Sequence, residues 1–273
     1  MSSKSGELQV IPTAEDRHRV SVCMAAYNGA RFIKEQIASI LPQLGEQDEI
    51  IVVDDASVDG TIAIVEGFGD GRIRVIRQER NLGVVRSFER SLKEATGEII
   101  FLSDQDDLWR ADKVGKFLKM FRECPDVTLV MSDLTIIDSA GNIISEPRFK
   151  GRQFRPGVLH NLVRNRYQGS ALAFRRRILK SCVPFPADIP LHDMWIGLVN
   201  QFVGKAHFIA EPLLFYRRHG GNESPSTHAP LGTMIRWRWS LVKNLVWFLM
   251  RKMVSRRDGR ELPVVGGGSD GIE

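Results

Sequence analysis

The sequence is poor in cysteine, and its cysteines do not suggest pairing. Cys23, Cys124 and Cys182 make an odd number in 273 residues, and no C-x-x-C occurs. This argues against a disulfide framework and fits inert thiols in a reducing cytoplasm. Long hydrophobic runs are also missing. Spanning a bilayer takes roughly 20 consecutive apolar residues, and the run from Leu245 to Met250 is far shorter. Residues 1–19 are polar and charged without an apolar h-region, so they are read as a flexible leader and not as a signal peptide. Two glycine motifs are absent as well. Ala25-Ala-Tyr-Asn-Gly-Ala30 stands where a dinucleotide-binding fingerprint would be, and no G-x-x-x-x-G-K-[ST] occurs. A nicotinamide-type oxidoreductase and a P-loop kinase are therefore disfavoured.

What is present is an ordinary globular composition, 43% hydrophobic and 26% charged, with a net charge of +5. That mild basic excess suits anionic partners without choosing among them. Short apolar runs alternate with helix-period stretches. Val20–Ala26, Glu49–Val53, Ile73–Ile76 and Glu98–Ser103 read as strands; Ala30–Leu41 and Gly83–Ala95 read as helices. The alternation predicts an α/β fold with a mostly parallel sheet flanked by helices. In such sheets ligands bind beyond the carboxyl ends of the strands. Three strands end there in Tyr27, in Asp54-Asp55, and in Asp104-Gln-Asp-Asp107. The second half predicts strands at Val127–Ser132, Ala171–Phe174, Phe208–Ala210 and Leu213–Tyr216, and a helix over Asp193–Val203.

Three carboxylates in four residues repel one another unless a cation is present, and Mg²⁺ or Mn²⁺ takes such oxygen ligands together with substrate phosphates. The alternative for Asp104–Asp107 is a solvated acidic turn. Asp54-Asp55 reads either as a capped turn or as a contact to a base or ribose, and Tyr27 either as packing or as a platform for a nucleobase. Asp193, opening a helix, is either a cap or a general base. In Tyr216-Arg-Arg-His219, His219 could ligate a metal and Arg217 or Arg218 could bind diphosphate; a solvated basic turn is the alternative.

Together these residues resemble family-2 glycosyltransferases of the GT-A fold. The likeness runs from Val20 to Asn222 through Val20-Ser-Val-Cys-Met-Ala-Ala-Tyr-Asn28, Ile51-Val-Val-Asp-Asp-Ala-Ser57, Asn81-Leu-Gly83 and Gly97–Asp107. Phe101–Trp109, Leu191–Trp195 and the Tyr-Arg-Arg-His-Gly ending are most similar to bacterial enzymes of surface-polysaccharide assembly, of a rhamnosyltransferase-like branch. The resemblance implies that Tyr27 and Asp55 hold the nucleobase, with Asp54 close by, and that Asp104 sits near the ribose. It implies that Asp106 and Asp107 bring Mg²⁺ or Mn²⁺ to the diphosphate and that His219 completes the metal site. Arg86 would approach the donor, Gly169-Ser170 would admit the acceptor, and Asp193 would be the base. One departure is His192, which stands where the family often has an acid. The implied activity is inverting transfer from a nucleoside-diphosphate sugar to a glycan or lipid-linked acceptor; the alternative is a binding module without turnover.

Residues 231–257 carry seven Lys or Arg and no Asp or Glu, interleaved with aromatic and aliphatic residues. They predict a basic amphipathic helix on an anionic membrane surface, or one packed on protein. No nucleic-acid motif accompanies the charge, so no nucleic-acid partner is expected. The expected plan is a leader (1–19), a transferase domain (20–222), this helix (231–257) and a disordered tail (258–273), in a cytoplasmic protein peripheral on the inner face of the cell membrane.

Overall fold

A computed structural model of the chain describes residues 18–150, 157–163, 165–220 and 230–257. Most of the expected leader, residues 221–229 and the expected tail from 258 lie outside them. Eight strands form one sheet in the order β3-β2-β1-β4-β7-β6-β8-β5. β1 (Val20–Ala26) lies between β2 (Glu49–Asp54) and β4 (Ile99–Asp104) and is parallel to both. β3 (Ile73–Arg77) extends the parallel half. Helices α1 (Ile33–Ile40), α2 (Thr61–Glu66) and α3 (Val84–Glu94) connect these strands. Cover on both faces is why β1, β2 and β4 read as unbroken apolar runs and not as alternating ones.

The carboxyl ends of these strands are level. Ala26 pairs with Asp54 and Ala25 with Asp104. The chain then turns sharply, with positive φ at Asn28 (47°), Ala56 (62°) and Gly83 (85°). The aromatic and acidic residues that follow are thereby gathered on one edge.

Beyond β4 the sheet is mixed. β7 (Leu172–Arg175) runs antiparallel to β4 and to β6 (Val127–Ile137). β8 (Lys205–Arg217) runs parallel to β6 and antiparallel to β5 (Leu108–Trp109). Here the expectation of two short strands is corrected: Phe208–Ala210 and Leu213–Tyr216 belong to one 13-residue strand. Its register shifts against β6 around Asp133, beside Pro212, and that interruption is what made it read as two. α4 (Lys113–Glu123) follows β5, and α5 (Val158–Val163) and α6 (Leu179–Cys182) lie on either side of β7 in sequence. α7 (His192–Val203) carries Asp193 in its first turn, and α8 (Leu231–Arg257) packs on α5 and α7.

Gly97 shows how tightly β4 enters the sheet. A Cβ there would lie 2.5 Å from Ser21 N and 2.7 Å from the Val20 carbonyl carbon, both backbone atoms that cannot step aside. Overpacking of this kind typically costs about 1–3 kcal/mol. Gly97→Ala is expected to lower stability by that amount in denaturant unfolding; an unchanged midpoint would show that β1 and β4 are less rigidly fixed than described.

Candidate active site

A cavity of about 310 Å³ opens on the carboxyl edge of the parallel strands. One wall holds Tyr27, Asp55, Asn81 and Gly83; the middle holds Asp104, Gln105 and Asp106; the far wall holds Gly169, His192 and Asp193, with Arg148 and Arg218 also lining it. Thus the structure brings Tyr27, Asp55, Asp104, Asp106, Gly169, Asp193 and Arg218 to one space. Asp54, Arg86, Asp107, Ser170, Arg217 and His219 do not line it.

Asp55 is buried and fully engaged. Its Oδ1 accepts from Gln78 Nε2 and Leu82 N, each at 2.7 Å, and its Oδ2 accepts from Gly83 N at 2.8 Å. It therefore pins the glycine turn before α3 to the end of β2. Asp54 Oδ2 accepts from Ser57 N at 3.1 Å and closes the turn after β2. Arg86 is bound to Glu89 one turn along α3 and to the Phe185 carbonyl.

The acidic turn is braced from below. Arg217 is buried: its main-chain N donates to Asp107 Oδ1 at 2.9 Å, its Nε to the Asp106 carbonyl at 2.8 Å, and its Nη2 to Glu35 at 2.8 Å. Of the two arginines left open by the sequence, Arg217 is thus a brace and Arg218 faces the cavity. His219 follows at the end of β8, and its Nε2 lies 2.7 Å from Asp106 Oδ2. The pairing of β5 with β8, with Leu108 opposite Phe215, carries this segment to the acidic turn.

Burial and crowding set the charges. Burial, with Asp106 and Asp193 nearby, pushes the Asp104 carboxyl up to about 7. Burial, then Asp106 and Asp104, pushes Asp107 well above the carboxylate range. Its Oδ2 is buried without a hydrogen bond. Burial also pushes Asp193 up to about 6, against donation from the Met194 and Gly169 main-chain nitrogens at 2.6 and 3.1 Å. His192 is stacked on Phe88 with ring centroids 4.0 Å apart, and burial pulls its imidazole down to about 3, so it is neutral.

Arg148 and Asn165 of the cavity lining escaped the sequence reading, and so did two residues that support the site. Lys113, fully buried, donates to the Ser170 carbonyl at 2.6 Å and lies 4.0 Å from the Trp109 ring centroid. Burial pulls it down to about 7, opposed by Asp107 and Asp104. It ties the acidic turn to the Gly169–Ser170 turn. Gln105 clamps the Tyr27 backbone, accepting from its N–H and donating to its carbonyl, both at 2.9 Å. A Cβ at Gly29 would overlap the Gln105 side chain, 2.1 Å from Oε1, so a larger residue there would displace this clamp. The only signal for either was position: Gln105 inside the acidic motif, Lys113 just after it.

The sequence pattern described as Glycosyl transferase family 2 matches residues 21–182. The chain belongs to this family. An uncharacterized glycosyltransferase of Nostoc sp. is 30% identical over 220 residues, which cover 76% of this chain and 67% of the relative. The Escherichia coli enzyme named UDP-Glc:alpha-D-GlcNAc-diphosphoundecaprenol beta-1,3-glucosyltransferase is 35% identical over 105 residues, 38% of this chain and 42% of the relative. Residues 1–349 of S. aureus TarS, solved with UDP-GlcNAc, superpose with a TM-score of 0.66 at 20% identity, covering 83% of this chain and 67% of that one. A Pyrobaculum calidifontis mannosyltransferase solved with GDP-Man and Mn²⁺ gives 0.53 at 26% identity, covering 75% of this chain and 57% of that one. The fold is therefore the GT-A fold.

The clamp on Tyr27 gives a direct test. A net neutral hydrogen bond contributes about 1 kcal/mol, so Gln105→Ala removes about 2 kcal/mol of local restraint on the first cavity turn. Amide exchange at Tyr27 should accelerate by more than about tenfold, with little change in global unfolding. Unchanged exchange would show that the turn is held elsewhere.

Proposed function

We propose that the chain is an inverting, metal-dependent glycosyltransferase. It moves a hexosyl or deoxyhexosyl unit from a nucleoside-diphosphate sugar to a hydroxyl of a glycan or lipid-linked acceptor, in assembly of bacterial surface polysaccharide or lipopolysaccharide. The observation that carries this is the single cavity with Tyr27 and Asp55 on one wall, Asp104 and Asp106 in the middle and Asp193 opposite. The nucleotide-sugar complexes of TarS and of the Pyrobaculum calidifontis mannosyltransferase support the donor class. The lipid diphosphate in the name of the E. coli relative supports the acceptor class.

In this reading Tyr27, held by Gln105, offers its half-exposed ring to the nucleobase, and Asp55 fixes the wall beside it. Asp104 faces the ribose. Among the described residues no three His, Cys, Asp or Glu side chains converge as a ready cation cage. The residues nevertheless fit a divalent ion, because Mg²⁺ is commonly held by one or two protein groups together with substrate phosphates. Asp106 and His219 would hold it, with the buried Asp107 directly behind them in the same turn. When bound, Mg²⁺ or Mn²⁺ supplies Lewis-acid stabilisation of the charge that builds on the departing diphosphate. Arg218 adds a cation at the cavity wall.

Asp193 performs the proton step. Two main-chain N–H groups aim its carboxylate, and it is ionised at neutral pH. It takes the proton of the acceptor hydroxyl as that oxygen attacks the anomeric carbon from the face opposite the leaving group, so one displacement inverts the configuration. Gly169 has no side chain to fill the approach beside Asp193: a Cβ there would lie 3.6 Å from Asp193 Cβ and 3.1 Å from His192 Nε2.

Two measurements test the assignment. Asp193→Asn should lower single-turnover transfer by about 10²- to 10⁴-fold while nucleotide-sugar affinity is retained; transfer at the wild-type rate would make the carboxylate a helix cap only. The wild-type rate should also rise with pH through about 6, as Asp193 loses its proton, and then level. A rate that falls as pH rises through that range would contradict a base at Asp193.

A further inference from the structure

α8 is apolar on two sides. One side is covered: Leu241, Leu245 and Phe248 are buried, and Phe248 meets Trp195 of α7 edge-on with centroids 6.5 Å apart. Polar contacts fix this side to the segment leading into Asp193. Ser240 Oγ donates to the Asp188 carbonyl at 2.7 Å, and Lys243 Nζ and Asn244 Nδ2 donate to the Asp188 carboxylate at 2.6 and 2.8 Å. The opposite side is open. Ile235, Trp239, Val246, Met250, Met253 and Val254 are between 49% and 70% exposed. At about 100° per residue they share one arc of a helix about 40 Å long. A helix with one packed side ordinarily has a polar opposite side, and a continuous open apolar face marks a contact surface.

Charge chooses the partner. Residues 231–257 contain no carboxylate side chain to set against their seven Lys and Arg. Lys243 is met by Asp188, Arg236 stands at the edge of the open arc, and the Arg251 guanidinium lies 4.5 Å from the Trp247 ring centroid. A second copy would bring these cations against one another. An anionic bilayer satisfies both features, because the headgroups take the cations and the acyl boundary takes the apolar arc, with tryptophan at the interface. Among the described residues no helix is long and apolar enough to cross a membrane, so α8 would lie along its surface.

We propose that the open face of α8 docks this chain on an anionic bilayer, with the helix axis in the membrane plane, and that the acceptor is presented from the same bilayer as a lipid-linked molecule. The second half rests on the transferase reading. The covered side of α8 grips α7 and Asp188, so docking would hold the base-bearing wall of the cavity at a fixed height above the lipid.

The test is cosedimentation of the whole chain with phosphatidylcholine vesicles that contain or lack phosphatidylglycerol. Binding is expected only with phosphatidylglycerol and should weaken with salt. The double variant Trp239→Ser, Met250→Ser changes open-side residues alone. It should reduce vesicle binding by about tenfold or more and depress transfer to a vesicle-borne acceptor, while transfer to a soluble acceptor stays within about twofold. Equal binding by variant and wild type would overturn the docking face. So would a wild-type dimer that the double variant dissociates, because the face would then belong to a second copy. Vesicle binding without transfer to any acceptor would strike the transferase reading and leave the docking in place.

Discussion

The grip of Arg217 on the acidic turn is the contact on which the rest of the site depends. Four carboxylates, Asp104, Asp106, Asp107 and Asp193, face or underlie one cavity, and burial beside one another raises Asp104 and Asp107. Arg217 meets the turn with its main chain and its guanidinium, and is itself anchored to Glu35 and the Ser139 carbonyl. Removing the guanidinium would leave the Asp106 and Ser139 carbonyls without this donor, and an unmet buried group typically costs about 1–3 kcal/mol. The β5–β8 pairing exists next to this brace and delivers His219 to Asp106. Lys113 extends the same logic to the other wall: it reaches the Ser170 carbonyl, and the adjoining Gly169 N–H aims Asp193.

This arrangement is electrostatically costly in a specific direction. Asp104 and Asp193 have folded-state values raised to about 7 and about 6, above the roughly 4 expected of the unfolded chain. Their favourable contribution is complete below that unfolded value and is lost as pH rises through 6 and 7. At neutral pH the protein therefore keeps charge in the cavity against its own stability. A divalent cation with a diphosphate would offset that cost, which links donor binding to the stability of the site.

The parallel half of the fold was legible because buried strands and their turn residues are local signals. Val20–Ala26, Glu49–Val53 and the run into Asp104 announced themselves, and so did the gathering of acids at their ends. The second half was less legible. β8 looked like two strands because its pairing is interrupted near Pro212, and its partner β6 is distant in sequence. Within the site the sequence named Tyr27, Asp55, Asp104, Asp106, Gly169, Asp193 and Arg218 of the cavity wall, yet not Arg148, Asn165 or what holds the wall in place. Gln105 reaches Tyr27 across 78 positions and Lys113 reaches Ser170 across 57, and no periodicity encodes such contacts. The roles of Arg217 and Arg218 separated only once burial was known. For α8 the composition indicated a basic helix with apolar residues; that one apolar side is covered by α7 and the other open needs the packing.

In the proposed function the acidic middle of the cavity works with a divalent cation on a nucleoside-diphosphate sugar. The most direct measurement is release of nucleoside diphosphate from a panel of nucleotide sugars, with chelator and then with Mn²⁺ or Mg²⁺ restored. Release is expected from at least one donor, stopping with chelator, returning with the ion, and lost in Asp106→Asn. Release that proceeds at the full rate in chelator, or that survives Asp106→Asn unchanged, would contradict it.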